Sequence, residues 1–505
     1  LSPSGLRGGS RAAGPTRALR AGALLTLAVL VIPGAPLLAS RPLASAGASA
    51  DRTPPTGELV EEVAPEADPS QTYTLYLPPG YGEPGPEGTQ ERRYPALLIL
   101  DPRGRGTQAA EIFQPAAERF GWILVSSNHT ASDGPMEPNL RAVNALMPEL
   151  ARRWAADPAR IYAAGMSGTA VVAWGIARQT GALAGVLAAA APNQPQVFDG
   201  VEKVGFAHFG TVGIEDFNFN ELRAMDAFLG ELGAPHRLEL FEGAHGWMPR
   251  DLATNALGWM EVQAIRQGRR AMDAELVRAQ LTADLERARS WESKGDPLAA
   301  LWSYQALLEG YRELAPVERD LARVRETVKA LSEEPAVARE REEVARGAER
   351  ESRLRRELGE LGAVARRGEL PSGAKLIDRL RVRELKKEAA GEGQTAAAAR
   401  RMLATLVTYT GSYLRRELWQ RKAWAQAAAV LEVAAEVRPE RPELWYDLAC
   451  ARALSGRREP ALEALQTAVD KGFADVEHLE ADLDLEALRD LEEYRALVTA
   501  LRGDG

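Results

Sequence analysis

Short apolar, β-branched runs alternate with helix-like stretches as far as residue 268, and beyond it the strand signals stop. The runs fall at 73–77, 96–100, 122–126, 160–164, 185–190, 208–212 and 236–241, and helical stretches lie between them at 109–120, 139–155, 168–180, 221–232 and 251–265. Apolar runs of this length separated by helices read as strands buried on both faces of a parallel sheet. The first half therefore predicts a doubly wound, mostly parallel α/β sheet. A chain of 505 residues exceeds what one hydrophobic core organises. The expected division is a leader and small-residue stretch over 1–50, a Pro- and Glu-rich linker over 51–70, the α/β domain over 71–268, a helical region over 269–409, and helical repeats with a cap over 410–505.

In the last part the sequence resembles itself at a spacing of 34 residues, the mark of a helix-turn-helix solenoid. Trp445, Leu448, Ala449, Ala461, Leu465 and Ala468 take the packing positions of one unit, and Leu414, Ala427, Leu431 and Ala434 those of the unit before, closed by Pro439. This stretch, 410–473, resembles tetratricopeptide repeats, with 473–497 as a cap carrying Leu483, Leu488 and Tyr494. A further helical pair is expected over 271–331, with Trp291, Ala299 and Tyr304 on packing positions. The run 335–361 reads as a charged helix whose alternating signs face solvent, and 334–404 carries no signal beyond helix.

A net charge of −9 and the lack of any Lys/Arg block interleaved with aromatics argue against nucleic acid as a partner. Cys450 is the only cysteine, which excludes an intramolecular disulfide framework and a cysteine metal cluster. Near the start, Arg17 and Arg20 precede an apolar run over 21–32 and small-residue sites at 44–46 and 48–50, the order of a secretory signal peptide. Pro33 and Pro36 interrupt that run before the roughly 20 residues that a spanning helix needs. The expectation is export to a periplasm or the extracellular space, with no stable membrane span after cleavage; an uncleaved anchor is the alternative.

The strongest local signal is the strand 160–164 running into Gly165-Met166-Ser167-Gly168 and then a helix. A sharp strand-to-helix turn crowds the backbone, so small residues must flank a serine that is to be presented at the helix N-terminus. Thr169, where a second glycine is usual, departs from the pattern. For an isolated match the alternative is a turn serine with no chemistry. A serine nucleophile needs a base, and the base a carboxylate to fix its tautomer. The strand 208–212 ends at Gly213 with Glu215 and Asp216 just beyond, either of which can supply the acid, Asp216 being preferred. Of the five histidines only His245 follows the last strand between glycines, whereas His208 and His236 begin strands, His129 lies in an earlier loop and His478 in the cap. Ser167, Asp216 and His245 then emerge at the carboxyl edge of the sheet, where open α/β sheets place their sites. For an oxyanion, the candidate donors are the N–H of Gly168 and one from Arg103 or Gly104 in the loop after strand 96–100. If Arg103 and Arg105 face the cleft, they favour a carboxylate-bearing substrate.

With these residues in place, 73–268 resembles the esterase branch of the α/β-hydrolase family, near feruloyl-esterase-like and dienelactone-hydrolase-like proteins. The residues that carry the likeness are 73–81 with its Leu77-Pro78-Pro79-Gly80-Tyr81, Asp157-Pro158-Ala159-Arg160-Ile161-Tyr162 before the turn, Gly165-Met166-Ser167-Gly168, and Glu242-Gly243-Ala244-His245-Gly246-Trp247. The resemblance implies acyl transfer to water by Ser167, with His245 as base and Asp216 orienting it, no cofactor or metal, and a small-molecule or polymer-linked ester as substrate. The repeats are expected to bind a protein partner. Two alternatives compete: a degenerate hydrolase domain in a repeat-based scaffold, and a serine peptidase on the same fold.

Overall fold

The computed structural model describes residues 54–83, 92–193 and 203–503. The segment read as a signal peptide lies outside them. Eight strands, β1 (Leu59–Val63), β2 (Tyr73–Tyr76), β3 (Tyr94–Leu100), β4 (Ile123–Ser127), β5 (Ala156–Met166), β6 (Gly185–Ala189), β7 (Ala207–Gly213) and β8 (His236–Phe241), form one sheet in the order β1-β2-β4-β3-β5-β6-β7-β8. From β4 to β8 all pairs are parallel, while β2 runs antiparallel to both β1 and β4. Helices α1 (Gly106–Phe120) and α5 (Arg250–Arg266) cover one face. The other face is covered by α2 (Glu137–Arg152), α3 (Gly168–Thr180) and α4 (Phe219–Glu231). The period-2 geometry of a strand explains the division: Leu97 and Ile99 of β3 pack with α1 and α5, and Ala96, Leu98 and Leu100 with α2 and α3. The inner strands are buried on both faces and read as near-continuous apolar runs, and the architecture is a doubly wound, mostly parallel α/β sheet.

The stretch expected to be a linker, 51–70, instead contains β1. Its Val60 and Val63 pack on the core while Glu61 and Glu62 stay exposed, with an irregular register between Val60 and Val63. A half-buried edge strand with outward carboxylates resists pairing with other chains, and its composition is that of a solvated segment.

Downstream the chain is helical: α6 (Ala274–Ser293), α7 (Pro297–Gly310), α8 (Glu318–Glu333), α9 (Pro335–Arg366), α10 (Gly373–Arg379), α11 (Val382–Ala389), α12 (Gly393–Thr408), α13 (Leu414–Gln420), α14 (Trp424–Val437), α15 (Pro442–Leu454), α16 (Arg458–Asp470), α17 (Val476–Ala481) and α18 (Glu492–Gly503). The expected boundary at 268 does not separate two cores. Val212, Leu240 and Val262 of the sheet half share one apolar cluster with Val277, Leu301 and Leu321 of the helices. The edge strand β8 is covered by α7, and buried Arg237 on β8 pairs with Asp284 of α6 at 2.6 Å. The boundary expected at 409/410 falls inside a continuous helical run, because a π-helical turn, Tyr409–Tyr413, joins α12 to α13. A second cluster runs from Leu354 on α9 to Val498 on α18. Among the described residues no helix is long and apolar enough to cross a membrane.

Candidate active site

Ser167 sits between β5 and α3 with φ 54° and ψ −131°, a backbone state that a non-glycine residue adopts only under constraint. The constraint is local. A Cβ at position 165 would lie 2.4 Å from the Thr169 carbonyl oxygen, so only glycine lets the chain fold back on itself there. Thr169, the departure from the usual pattern, is fully buried and braces the turn. Its hydroxyl lies 2.5 Å from the Leu100 carbonyl and 2.8 Å from that of Met166, and accepts the Met166 N–H at 3.1 Å. The threonine thus ties the serine turn to the end of β3.

The loops after β7 and β8 are zipped together by backbone bonds, Ile214 N–H to Phe241 O at 2.9 Å and Glu215 N–H to Gly243 O at 3.0 Å. Gly213 permits this, since a Cβ there would come within 2.3 Å of the Gly243 oxygen. His245 Nε2 stands 3.0 Å from Ser167 Oγ, and His245 Nδ1 is 3.1 Å from each carboxylate oxygen of Asp216. Asp216 is fully buried and also accepts the Asn218 N–H at 2.8 Å. With Nδ1 carrying the proton toward Asp216, Nε2 is left to accept from the serine hydroxyl. Glu215, the other acid weighed, turns away and pairs with Arg400 of α12 at 3.2 Å. The Phe217 ring stacks on the imidazole, with centroids 4.4 Å apart and planes at 25°.

The other histidines stand apart. His208 is buried and accepts from Trp174 Nε1 at 2.9 Å, and burial pulls its pKa down to about 3, so it stays neutral. His129 pairs with Thr72, and His236 faces the Ala234 carbonyl and Asp226.

The loop 101–106 corrects the oxyanion expectation. The Arg103 N–H donates to Asp101 Oδ1 at 2.8 Å and the Gly104 N–H to the Asp101 carbonyl at 3.3 Å, so both donors are spent within the loop. Buried Asp101 also accepts from the Arg105 N–H at 3.1 Å and from Trp247 Nε1 at 2.9 Å, which ties this loop to the histidine loop. The Arg105 guanidinium is likewise engaged with Asp101 at 3.3 Å. The residue that does approach the turn is Ser132: its hydroxyl accepts the Gly168 N–H at 3.1 Å, and its own N–H is anchored on the Pro102 carbonyl at 2.9 Å. A hydroxyl in this place can rotate its proton toward a negative oxygen beside Gly168. Nothing in the local sequence marked Ser132, because it reaches the site by a long-range pairing of loops.

No family model and no curated protein matches the sequence. Among solved structures, the chain is similar to FphF, a fluorophosphonate-binding serine hydrolase of Staphylococcus aureus, at 14% identity over 41% of this chain and 99% of that one, with a TM-score of 0.35. It is also similar to the S-formylglutathione hydrolase FrmB of Staphylococcus aureus, at 13% identity over 42% of this chain and 99% of that one, TM-score 0.32. A ferulic acid esterase gives 16% identity over 40% of this chain and 97% of that one, TM-score 0.31.

Proposed function

We propose that the protein is a serine hydrolase acting on carboxylic esters, with Ser167 as nucleophile, His245 as general base and acid, and Asp216 as the orienting carboxylate. The observation that carries this reading is the unbroken chain of contacts from buried Asp216 through both ring nitrogens of His245 to Ser167 Oγ. A scaffold with a degenerate site has no reason to keep a serine in a strained backbone state aimed at a paired histidine.

In this mechanism His245 Nε2 takes the proton as Ser167 Oγ attacks the ester carbonyl. Asp216 stabilises the imidazolium through Nδ1–H, and the negative oxygen is received by the rotatable Ser132 hydroxyl proton and by the Gly168 N–H at the start of α3, which exchanges its bond to Ser132 Oγ for one to the oxyanion. Collapse of the tetrahedral intermediate expels the alcohol, which takes its proton from His245 Nε2–H. Water, deprotonated by the same nitrogen, then releases the acid and restores Ser167. No residue role in this cycle calls for a metal or an organic cofactor. The basic, apolar and small-residue order of residues 17–50 supports an exported enzyme, and the 34-residue helical spacing supports a partner-binding role for the last helices.

Turnover of p-nitrophenyl acyl esters against matched anilides tests the reading. Wild type should hydrolyse esters in clear preference to anilides, and Ser167→Ala should lose on the order of 10⁴-fold or more in kcat. Ester turnover that survives Ser167→Ala would contradict it.

A further inference from the structure

Helices α9 and α12 lie more than a hundred residues beyond the acid loop in sequence, yet they hold it along its whole length. Arg401 donates to the Ile214 carbonyl at 2.9 Å and to Glu351 at 2.9 Å, with its guanidinium 4.6 Å from the centroid of Phe219. Arg400 pairs with Glu215 at 3.2 Å. Arg355 donates to the Phe217 carbonyl and, at 3.1 Å, to Glu221. Asn220 donates to Glu351 at 2.7 Å. Within 214–221 the two residues without such a contact are Asp216, turned to His245, and Asn218, whose side chain donates to the Ala190 carbonyl at 2.8 Å. Six of the eight residues of 214–221 are thus tied to α9 or α12, Phe217 through its carbonyl while its ring stacks on His245. Arg401 and Glu351 are each about 1% exposed. A buried ion pair is a weak source of stability compared with apolar side chains of the same volume. This one is spent on a backbone carbonyl two residues before the triad acid.

A second loop is held in the same way. Tyr413 donates to the Asp133 carboxylate at 3.3 Å and Arg416 to the Asp133 carbonyl at 2.6 Å, next to Ser132.

We propose that Arg401, with Glu351 and Arg355, is the positioning assembly of the hydrolytic site: the helical region fixes the acid loop and, through Asp216 and the Phe217 ring, the orientation of His245 toward Ser167. The proposal rests on the triad reading given above. The helical region is on this account a working part of the enzyme, and anything that shifts α9 against α12 alters the rate of the chemical step.

The test uses the full-length protein and the double variant Arg401→Met/Glu351→Met, which removes both charges at similar volume. Melting, kcat and KM on an ester, and the rate and final stoichiometry of fluorophosphonate labelling are measured together. The expected result is cooperative melting and full final labelling, with KM within about 3-fold of wild type and both kcat and the labelling rate lowered about 10- to 100-fold. A loss of folded protein would lower the stoichiometry instead of the rate. As a control, Arg452→Met/Glu432→Met removes an ion pair of 2.9 Å between α15 and α14, remote from the loop, and should leave the rate unchanged. If the Arg401/Glu351 double variant does not fold, Arg355→Gln, at a partly exposed position, carries the same test with an expected fall of about 3- to 10-fold in kcat. A folded variant with wild-type kcat overturns the proposal. A wild type that neither labels nor turns over, like Ser167→Ala, overturns the triad reading itself, and the positioning role falls with it.

Discussion

The two halves of the molecule contribute to the candidate site in opposite ways. On the sheet side, each proposed reacting group sits just past the carboxyl end of a parallel strand: Ser167 after β5, Asp216 after β7 and His245 after β8. Each is placed by glycines and backbone bonds within a few residues of itself, such as Gly165 and Gly213. Among the described residues the helical side supplies none of these three groups, yet its arginines reach the backs of the loops that carry them. Chemistry is encoded locally, and its support is encoded at a distance. In a molecule built this way, the helical half can be read as an appendage from sequence and still share a core and a loop with the site.

The sharpest way to break this contrast is within the acid loop, where neighbouring carboxylates belong to different halves. Asp216→Asn should keep the fold but leave His245 in the wrong tautomer, lowering kcat on the order of 10³- to 10⁴-fold. Glu215→Gln, which touches only Arg400 at a partly exposed pair, should change kcat less than about 2-fold. Comparable losses in both would mean that the loop, and not the one carboxylate, carries the function. Next in size is Ser132→Ala. Removing its hydroxyl from beside Gly168 should cost about 10²-fold in kcat with KM nearly unchanged, and unaltered kinetics would return the oxyanion role to backbone donors alone. The smallest effect concerns stability only and lies on the sheet side. His208 is held neutral by burial with its pKa pulled down to about 3, so below its ordinary value of 6.5 the unfolded state takes up a proton that the folded state refuses. Stability from this source is intact above that value and is lost as pH falls toward 3. His208→Gln, which keeps an acceptor for Trp174, should flatten the stability curve between about pH 6 and pH 4 by about 1.4 kcal/mol per pH unit without changing kcat at neutral pH. Equal slopes would mean that another group dominates acid unfolding.

How much of this was legible in the sequence follows the same division. The buried strands read directly, because β3 to β7 are mostly apolar and buried on both faces, with helices between β3, β4, β5 and β6. The serine turn read directly because its glycines are a steric requirement of the turn. β1 did not, since an edge strand with Glu61 and Glu62 outward has the composition of a linker. Thr169 reads as a departure from the usual glycine, and only the structure shows that its hydroxyl ties the turn to β3. The donors proposed at Arg103 and Gly104 failed because Asp101 captures both N–H groups, a competition that spacing does not reveal. The charged helix 335–361 was read as a solvated face, yet Glu351 on it is buried against Arg401. Charge patterning along one helix shows only the surface it presents, and the partner that buries it lies elsewhere in the chain.

The central claim is that Ser167 is activated by His245. Its most direct test is intact-mass and peptide-level analysis of the full-length protein after reaction with a fluorophosphonate. The account predicts a single adduct located on Ser167, absent in Ser167→Ala and formed at least about 10³-fold more slowly in His245→Ala. A folded protein that forms no adduct, or one whose adduct sits on another residue, would contradict it.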